Sequence, residues 1–354
     1  MMIVSSNDSR THEFLTRIFK LFSMFLFPNR TISIIMPVFN DWHSFSLLLR
    51  AIDETCASSG ITIDVFAIND GSTQEIHYSR SEFQHLRCIR RVSVVHLTRN
   101  FGHQRAIAIG LCHIAENTSN DAVIVMDSDG EDKPEDILVL IKASLDNSRK
   151  IIFAKREKRS ESLSFRFFYQ IYKRFYRVLT GAPISFGNFS IIPKELMMRA
   201  TAVAELWTHY AAGIIKSRIP HDTIPTERGK RLAGESKMNF VSLLLHGLGA
   251  VSVHLEVVAT RLLVWSIVLM IFSIVGIGFV FALRLATDLV VSGWASNVTI
   301  GLIGLLFQAV FFSALLVFVV LSNRSHQLFV PRLNYRNYLH EVEILFENAS
   351  DKGS

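Results

Sequence analysis

Glycine-rich phosphate cradles are missing from this chain: no G-x-G-x-x-G follows its first strand-like segment, and no G-x-x-x-x-G-K-[ST] occurs anywhere. The dinucleotide-binding and P-loop readings therefore lose the backbone N–H groups on which they depend. Cysteine is scarce, and the three present, Cys56, Cys88 and Cys112, have neither metal-ligand spacing nor pairing logic. They fit a reducing compartment, as core residues. The formal net charge of +6 comes with no zinc-finger, helix-turn-helix or RNA-binding signature, which argues against nucleic acid and for a membrane surface carrying acidic lipid. A secretory signal is also lacking, because the apolar run Ile18 to Phe27 is broken by Lys20 and no small-residue cleavage site follows.

What the chain has in excess is apolar sequence, 49% of its residues. The excess is concentrated in two uncharged runs, Leu262 to Leu283 (22 residues) and Val298 to Leu321 (24 residues). Both exceed the ~20 residues that span a bilayer, which predicts two transmembrane helices, 262–283 and 298–321. A buried core helix is the competing reading for each run, and their close succession argues against it. The loop Arg284 to Asn297 carries one basic residue, whereas Lys216 to Arg261 and Ser322 to Ser354 are richer in Lys and Arg. The positive-inside rule then puts the flanking domain, the tail 322–354 and both termini in the cytoplasm, and a bacterial inner membrane is the expected location. Residues 1–30 and 238–261 read as amphipathic segments lying at the membrane surface. Within the second span, Gln308 is a candidate for bonding either to the first helix or to nearby backbone.

From Thr31 onward strand-like and helix-like segments alternate, which predicts βαβ succession and a mainly parallel sheet. The expected strands are Thr31 to Phe39, Ile63 to Ile68, Val92 to Leu97, Ala122 to Met126 and Ile151 to Ala154. The expected helices are His43 to Ala57, Gln104 to Glu116 and Glu135 to Leu145. Functional groups of such a sheet gather at the C-terminal ends of its strands. Here those ends carry Pro37-Val38-Phe39-Asn40-Asp41, Asn69-Asp70-Gly71-Ser72, Arg99-Asn100-Phe101-Gly102 and Asp127-Ser128-Asp129-Gly130-Glu131-Asp132. The last crowds five acidic or hydroxyl side chains into six positions. Paired carboxylates closing a buried strand call for a hard divalent cation, magnesium or manganese, shared with a phosphate-bearing substrate. Asp41 and Asp70 suit the nucleoside end of such a substrate, with turn or cap roles as the plainer alternative.

The series MPVFND, NDGS, LTRNFGHQRA, DSDGEDKPED, GNF and RLAGESKM resembles glycosyltransferase family 2 in its polyprenyl-phosphate branch, over about Thr31 to Leu321. The resemblance implies a GT-A nucleotide-sugar-binding domain over 31–237, a UDP- or GDP-linked sugar donor, a divalent metal, and inverting transfer of one sugar to a polyprenyl phosphate. It implies that Pro37, Phe39, Asp41 and Asp70 hold the nucleoside, and that Asp127 and Asp129, with Glu131 as a further candidate, bind the metal. Arg228, Arg231, Ser236 and Lys237 match the segment that closes over the diphosphate and acceptor. Where the family commonly reads Asp-Phe-Arg, this chain has Asn188-Phe189-Ser190.

Between metal turn and membrane, Ser162 to Thr180 sets aromatic and leucine residues on one helical face and Arg166, Lys173, Arg174 and Arg177 largely on another. Arg156 and Arg166 are the candidates for meeting the lipid phosphate, since guanidinium suits bidentate phosphate contact. A phosphate nucleophile is already anionic, so no dedicated base is required and Asn188 is tolerable. Other readings are a processive polysaccharide synthase, disfavoured by the missing Q-x-x-R-W motif, and a silent membrane scaffold, disfavoured by the intact Asp127 and Asp129. A homo-oligomer is compatible with each.

Overall fold

The computed structural model describes residues 30–74, 83, 85–156, 163–181, 186–234, 240–286, 293–325 and 329–348. Nearly all of the amphipathic segment expected over 1–30, together with Ser236 and Lys237, lies outside them. The chain divides into two compact units.

The first unit is built on one eight-stranded sheet in the order β7-β5-β6-β4-β1-β2-β3-β8. Its centre is β1 (Arg30–Val38), parallel to β2 (Ile61–Asn69) on one side and β4 (Ala122–Val125) on the other. These strands are buried along almost their whole length, as parallel strands covered on both faces must be, and so they read as mainly apolar runs, interrupted by Ser33 in β1 and Asp64 in β2. β3 (Ile89–Leu97) extends the parallel set. Helices α1 (Trp42–Cys56), α2 (His103–Asn117) and α3 (Pro134–Asp146) follow β1, β3 and β4 and cover both faces with two apolar clusters. Phe45, Leu48, Leu49 and Ile52 of α1 join Ile137, Leu140 and Ile141 of α3 in one. Ile107, Ile109, Leu111 and Ile114 of α2 form the other with Ile35 and Val125.

Two strands run antiparallel. β6 (Ser190–Pro193) lies between β4 and β5 (Ile151–Arg156), while β7 (His221–Thr226) pairs parallel with β5. The other antiparallel strand comes from the stretch read from the sequence as a tail. Leu339–Glu347 forms β8, which borders β3 from Leu97↔Leu339 to Arg91↔Glu347. Arg91 Nη2 meets Glu347 Oε1 at 2.6 Å and His96 Nε2 meets Glu343 Oε2 at 3.2 Å. Ahead of β8, Tyr335 is 1% exposed and its hydroxyl donates to Glu116 Oε2 of α2 at 2.8 Å. The ring of Tyr338 packs on Phe101 and Trp207.

The second unit comprises Leu163–Ile184 and Gly247–Leu328. It contains α4 (Leu163–Thr180) and two 32-residue helices, α5 (Leu255–Ala286) and α6 (Trp294–Ser325). Each of the pair is long and apolar enough to cross a membrane, and each extends past the limits expected from uncharged sequence alone. Ser266 and Ser313 share a hydroxyl hydrogen bond of 2.7 Å between them, a small-polar contact of the kind that joins helices in lipid, while Gln308 is exposed. Elsewhere the pair shows large apolar side chains, with Phe272, Phe279, Phe307 and Phe318 each more than 60% exposed. In α4, Tyr176 is buried, its hydroxyl donating to the Ala250 carbonyl oxygen, and Ile171, Phe175 and Val178 form an exposed apolar stripe.

Candidate active site

β1, β2, β3 and β4 all end on the same edge of the sheet, and their loops are tied together by short polar contacts. After β1, Asn40 takes φ +52°, a left-handed conformation that asparagine tolerates better than most residues. Its Oδ1 accepts from the backbone N–H groups of Thr73 and Gln74. After β2, Asp70 is 3% exposed, and its two oxygens accept from Phe101 N (2.7 Å) and Gly102 N (2.9 Å). Its carboxylate is therefore engaged with the entry to α2. Burial raises its pKa, and those two bonds oppose the rise. Gly71, at φ +68°, leaves room for the Asn100 backbone, 2.5 Å from where a Cβ would stand. Of the other residues expected at the nucleoside, Pro37 is buried in β1 and Phe39 is 41% exposed just beyond it.

The acidic turn after β4 folds onto itself. Asp129 Oδ1 accepts from Glu131 N at 2.9 Å. Asp132, 4% exposed, accepts from Asp127 N through Oδ2 (3.1 Å) and from Arg156 Nη2 through Oδ1 (2.9 Å). Arg156 is thus drawn to the turn, although the sequence suggested the lipid phosphate for it. Crowded, partly desolvated carboxylates hold protons more tightly. Burial, and next Asp129, push Asp127 up to about 7, while burial and Asp127 push Asp132 up to about 6; Arg156 lowers both. Asp129 is raised as well, mainly by burial.

The segment 227–234 closes over this turn. Gly229 N donates to the Glu131 carbonyl oxygen and Leu232 N to that of Asp129. The Leu232 side chain lies on Gly130, whose φ of +84° and missing Cβ make the approach possible. Arg228 grips Glu131 with both Nε (2.9 Å) and Nη2 (2.7 Å). Arg231 bridges two sites, donating through Nη1 to Asp129 Oδ2 at 2.9 Å and pairing through Nη2 with Asp41 Oδ2. Asp41, Asp127, Asp129, Glu131, Arg156, Arg228 and Arg231 accordingly form one contiguous constellation. Arg166 lies in α4, its side chain outside the described residues.

Sequence reasoning passed over two contributors. Asp132 stood in the acidic run without an assigned role, and burial is what separates it from its neighbours. His103 stood in the HQ pair that opens α2; its Nε2 lies 3.3 Å from Asp127 Oδ1 and 3.0 Å from Asn188 Nδ2. Ser190 is fully buried in β6, bonded to the Tyr210 hydroxyl.

Residues 33–207, which hold all of these strand ends, match the model of Glycosyl transferase family 2. The chain belongs to glycosyltransferase family 2. Its sheet, with helices on both faces and polar groups at the strand ends, has the GT-A arrangement. Among relatives of this family-2 chain, a glycosyltransferase of Bacillus subtilis, YkcC, is 26% identical over 283 residues, covering 77% of this chain and 83% of the relative. An undecaprenyl-phosphate 4-deoxy-4-formamido-L-arabinose transferase of Klebsiella pneumoniae is 25% identical over 228 residues, 61% of this chain and 65% of the relative. The chain thus spans just under two thirds of that transferase's length. A solved glucosyl-3-phosphoglycerate synthase from Mycobacterium tuberculosis, in complex with Mn2+, UDP-glucose and phosphoglyceric acid, superposes with a TM-score of 0.45 at 13% identity, covering 66% of this chain and 79% of the other.

The residues present also bear on a divalent cation. Among the described residues no three His, Cys, Asp or Glu side chains form a ready-made cage. Asp127 Oδ1, however, is buried with no hydrogen-bond partner among the described residues, His103 Nε2 standing 3.3 Å away, and burying an anionic oxygen without a hydrogen bond is costly. One or two protein carboxylates completed by substrate phosphates is how magnesium-type sites are commonly built, and this turn fits that pattern.

Proposed function

We propose that the protein is a membrane-bound inverting glycosyltransferase that moves one sugar from a nucleotide sugar, UDP- or GDP-linked, to a polyprenyl phosphate at the cytoplasmic membrane face. The observation that carries the reading is the carboxylate turn Asp127–Asp132 of a family-2 domain in a chain with two membrane-length apolar helices. The similarity to a transferase named for an undecaprenyl-phosphate substrate supports the acceptor class.

In this reading Asp41 receives the nucleoside, with Pro37, Phe39 and Asp70 shaping its pocket, and Asp127 and Asp129 hold magnesium or manganese, with Glu131 beside them. The cation supplies Lewis-acid stabilisation of the departing diphosphate. Arg231, paired with Asp129 and Asp41 in this structure, would with Arg228, Ser236 and Lys237 meet the diphosphate. Because the nucleophile is a phosphate oxygen, the protein's task is to bring two anions together rather than to remove a proton. The exposed apolar stripe of α4 and the paired apolar helices support attachment to a bilayer. Two observations support a cytoplasmic location: β8, the strand after the hairpin, lies in the same sheet as the strands before it, as two crossings would require, and the flanks of the hairpin are basic.

In detergent, the purified full-length protein is expected to convert one member of a nucleotide-sugar panel into a lipid-linked monosaccharide when undecaprenyl or dolichyl phosphate is added. The bond is an acid-labile phosphodiester of inverted anomeric configuration, and EDTA stops its formation until manganese or magnesium is restored. Mass spectrometry of the extracted lipid reads the product. Chains longer than one sugar would favour a processive synthase, and donor hydrolysis without lipid product would remove the acceptor.

Two arginines separate the acceptor from the metal turn. Arg166→Ala is expected to weaken use of the lipid roughly 10- to 150-fold, the value of one charge-assisted contact at about 1.5–3 kcal/mol, with nucleotide binding unchanged. Arg156→Ala also strands the buried Asp132, so it should cost about 3 kcal/mol of stability, as breaking a buried ion pair does. Lipid kinetics, nucleotide calorimetry and thermal melts distinguish them. A wild-type melt for Arg156→Ala with only the lipid KM raised would return Arg156 to the acceptor alone.

A further inference from the structure

Gln308 sets a carboxamide close to the midpoint of α6, whose ends are Trp294 and Ser325. A helix centred in a hydrocarbon core about 30 Å thick holds that amide some 15 Å from either headgroup layer, farther than a glutamine side chain can snorkel. Gln308 is exposed, and among the described residues no group bonds its carboxamide. In water such exposure is ordinary. In hydrocarbon an amide without a partner is costly.

The face of α6 turned to α5 leaves no place for it. Leu302, Leu306, Ala309, Ser313, Leu316 and Val320 recur at alternating spacings of three and four and are withdrawn from the surface, the pattern of a packed helix seam. Ser313 bonds there to Ser266 of α5, and Leu302 fills the space beside Gly276, 3.1 Å from where a Cβ would stand. Gln308 belongs to a different stripe. At about 100° per residue, Gly301, Gly304, Phe311 and Leu315 all fall within roughly 60° of it around the helix, and the seam with α5 lies roughly 80–160° away. Phe311 and Leu315 are exposed, while a Cβ on Gly301 or Gly304 would meet no neighbour within 4 Å. The outer face of α6 therefore carries one unsatisfied amide beside an open notch.

We infer that this face pairs with the same face of a second copy of the chain, the two Gln308 carboxamides exchanging hydrogen bonds across a two-fold axis along the membrane normal. A carboxamide holds both donor and acceptor and so is complementary to itself, as a two-fold interface requires. Copies inserted in the same sense hold Gln308 at the same depth, whereas any other occupant would have to supply a polar group at that level. The glycines let the two backbones approach closely, as small residues do where helices join in lipid. The inference rests on the proposed crossing of the bilayer and not on the reaction.

The test uses full-length protein in vesicles of phosphatidylcholine and phosphatidylglycerol, with donor and acceptor fluorophores on added C-terminal tags of separate copies. Energy transfer is followed as lipid dilutes the protein. The wild type is expected to show transfer above the level of random proximity. Gln308→Leu should move the midpoint to a protein-to-lipid ratio roughly 5- to 30-fold higher, the equivalent of about 1–2 kcal/mol for a hydrogen bond between membrane helices. Gln308→Asn, which keeps the amide, should move it less, and Gly304→Leu, which fills the notch, should weaken pairing as well. Under copper-phenanthroline oxidation Leu315→Cys should form a disulfide between copies. Val310→Cys, exposed on the same helix but roughly 160° from Gln308, should stay at the background set by the buried Cys56, Cys88 and Cys112. A wild type that remains monomeric at every dilution, pairing that neither Gln308→Leu nor Gly304→Leu weakens, or cross-linking at Val310→Cys in place of Leu315→Cys overturns the inference. Protein that alkaline carbonate strips from the vesicles would overturn the bilayer crossing and the pairing together; protein that resists carbonate yet stays monomeric removes the pairing alone.

Discussion

Asp127→Asn and Asp129→Asn should each remove sugar transfer by on the order of 10^3-fold or more, the scale on which a preorganised charge at a leaving group acts. The same Asp127→Asn variant should be more heat-stable than the wild type in EDTA at pH 8. The two effects have one origin. Burial and Asp129 raise Asp127 to about 7, whereas in the unfolded chain it titrates near its ordinary value of 3.8. A carboxyl whose folded-state pKa is raised lends stability that is complete below the unfolded value and lost as pH climbs through the folded one. Asparagine has nothing to ionise, so the melting temperatures of variant and wild type should coincide near pH 4 and separate in the variant's favour up to about pH 8. Added Mn2+ should close the gap by stabilising only the wild type. Differential scanning fluorimetry across pH, with and without metal, reads it. An Asp127→Asn protein that keeps full transfer, or that melts below the wild type at pH 8 in EDTA, would contradict the account.

Tyr335→Ala should cost about 3–5 kcal/mol, the usual loss when a large buried aromatic is cut to a methyl group. Tyr335 is 1% exposed, packs in the cluster of α2, and hydrogen-bonds to Glu116, so its removal leaves a cavity and takes a donor from that carboxylate. The loss should also reach the active site, because the next contact along this segment, Tyr338 on Phe101, supports the loop that positions His103. Thermal melts and sugar transfer should therefore fall together. Tyr335→Phe, which keeps the ring and gives up only the hydroxyl, should lose about 1 kcal/mol, a typical net hydrogen-bond contribution. Equal effects of the two substitutions would mean that the packing of this segment is not what holds it.

The parallel half of the sheet was legible because its signals are local. β1, β2 and β4 are mainly apolar runs closed by polar residues, β3 holds the shorter stretch Val92–Leu97 broken by Ser93 and His96, and the turn Asp127–Asp132 announces itself by charge density. β6 and β8 were not legible. β6 has four residues, Ser190–Pro193, too few to establish a period. β8 reads LHEVEILFE, charged as edge strands often are, and its partner β3 lies more than two hundred positions earlier, a distance at which sequence leaves no pattern. In the site, residue types could be listed while their pairings could not. Arg231 was expected at a diphosphate, yet its simultaneous reach to Asp41 and Asp129 depends on how 227–234 folds. Asp70 offered a carboxylate to a ribose or a helix entry, and only its distances to Phe101 N and Gly102 N show which group now uses it.

The position of β8 also sets an order of events during synthesis. A ribosome delivers β3 early, ending at Leu97, and the strand that covers its edge begins only at Leu339. Everything between must be made first, including both apolar helices. At roughly 5–20 residues per second, those 339 − 97 = 242 residues take about 12–50 s. Throughout that interval the nascent sheet presents an open strand edge, a template for pairing with other chains. The first unit is therefore completed after both apolar helices have been made, and a nascent chain stalled at the second of them carries every residue of the acidic turn on a sheet that is still one strand short.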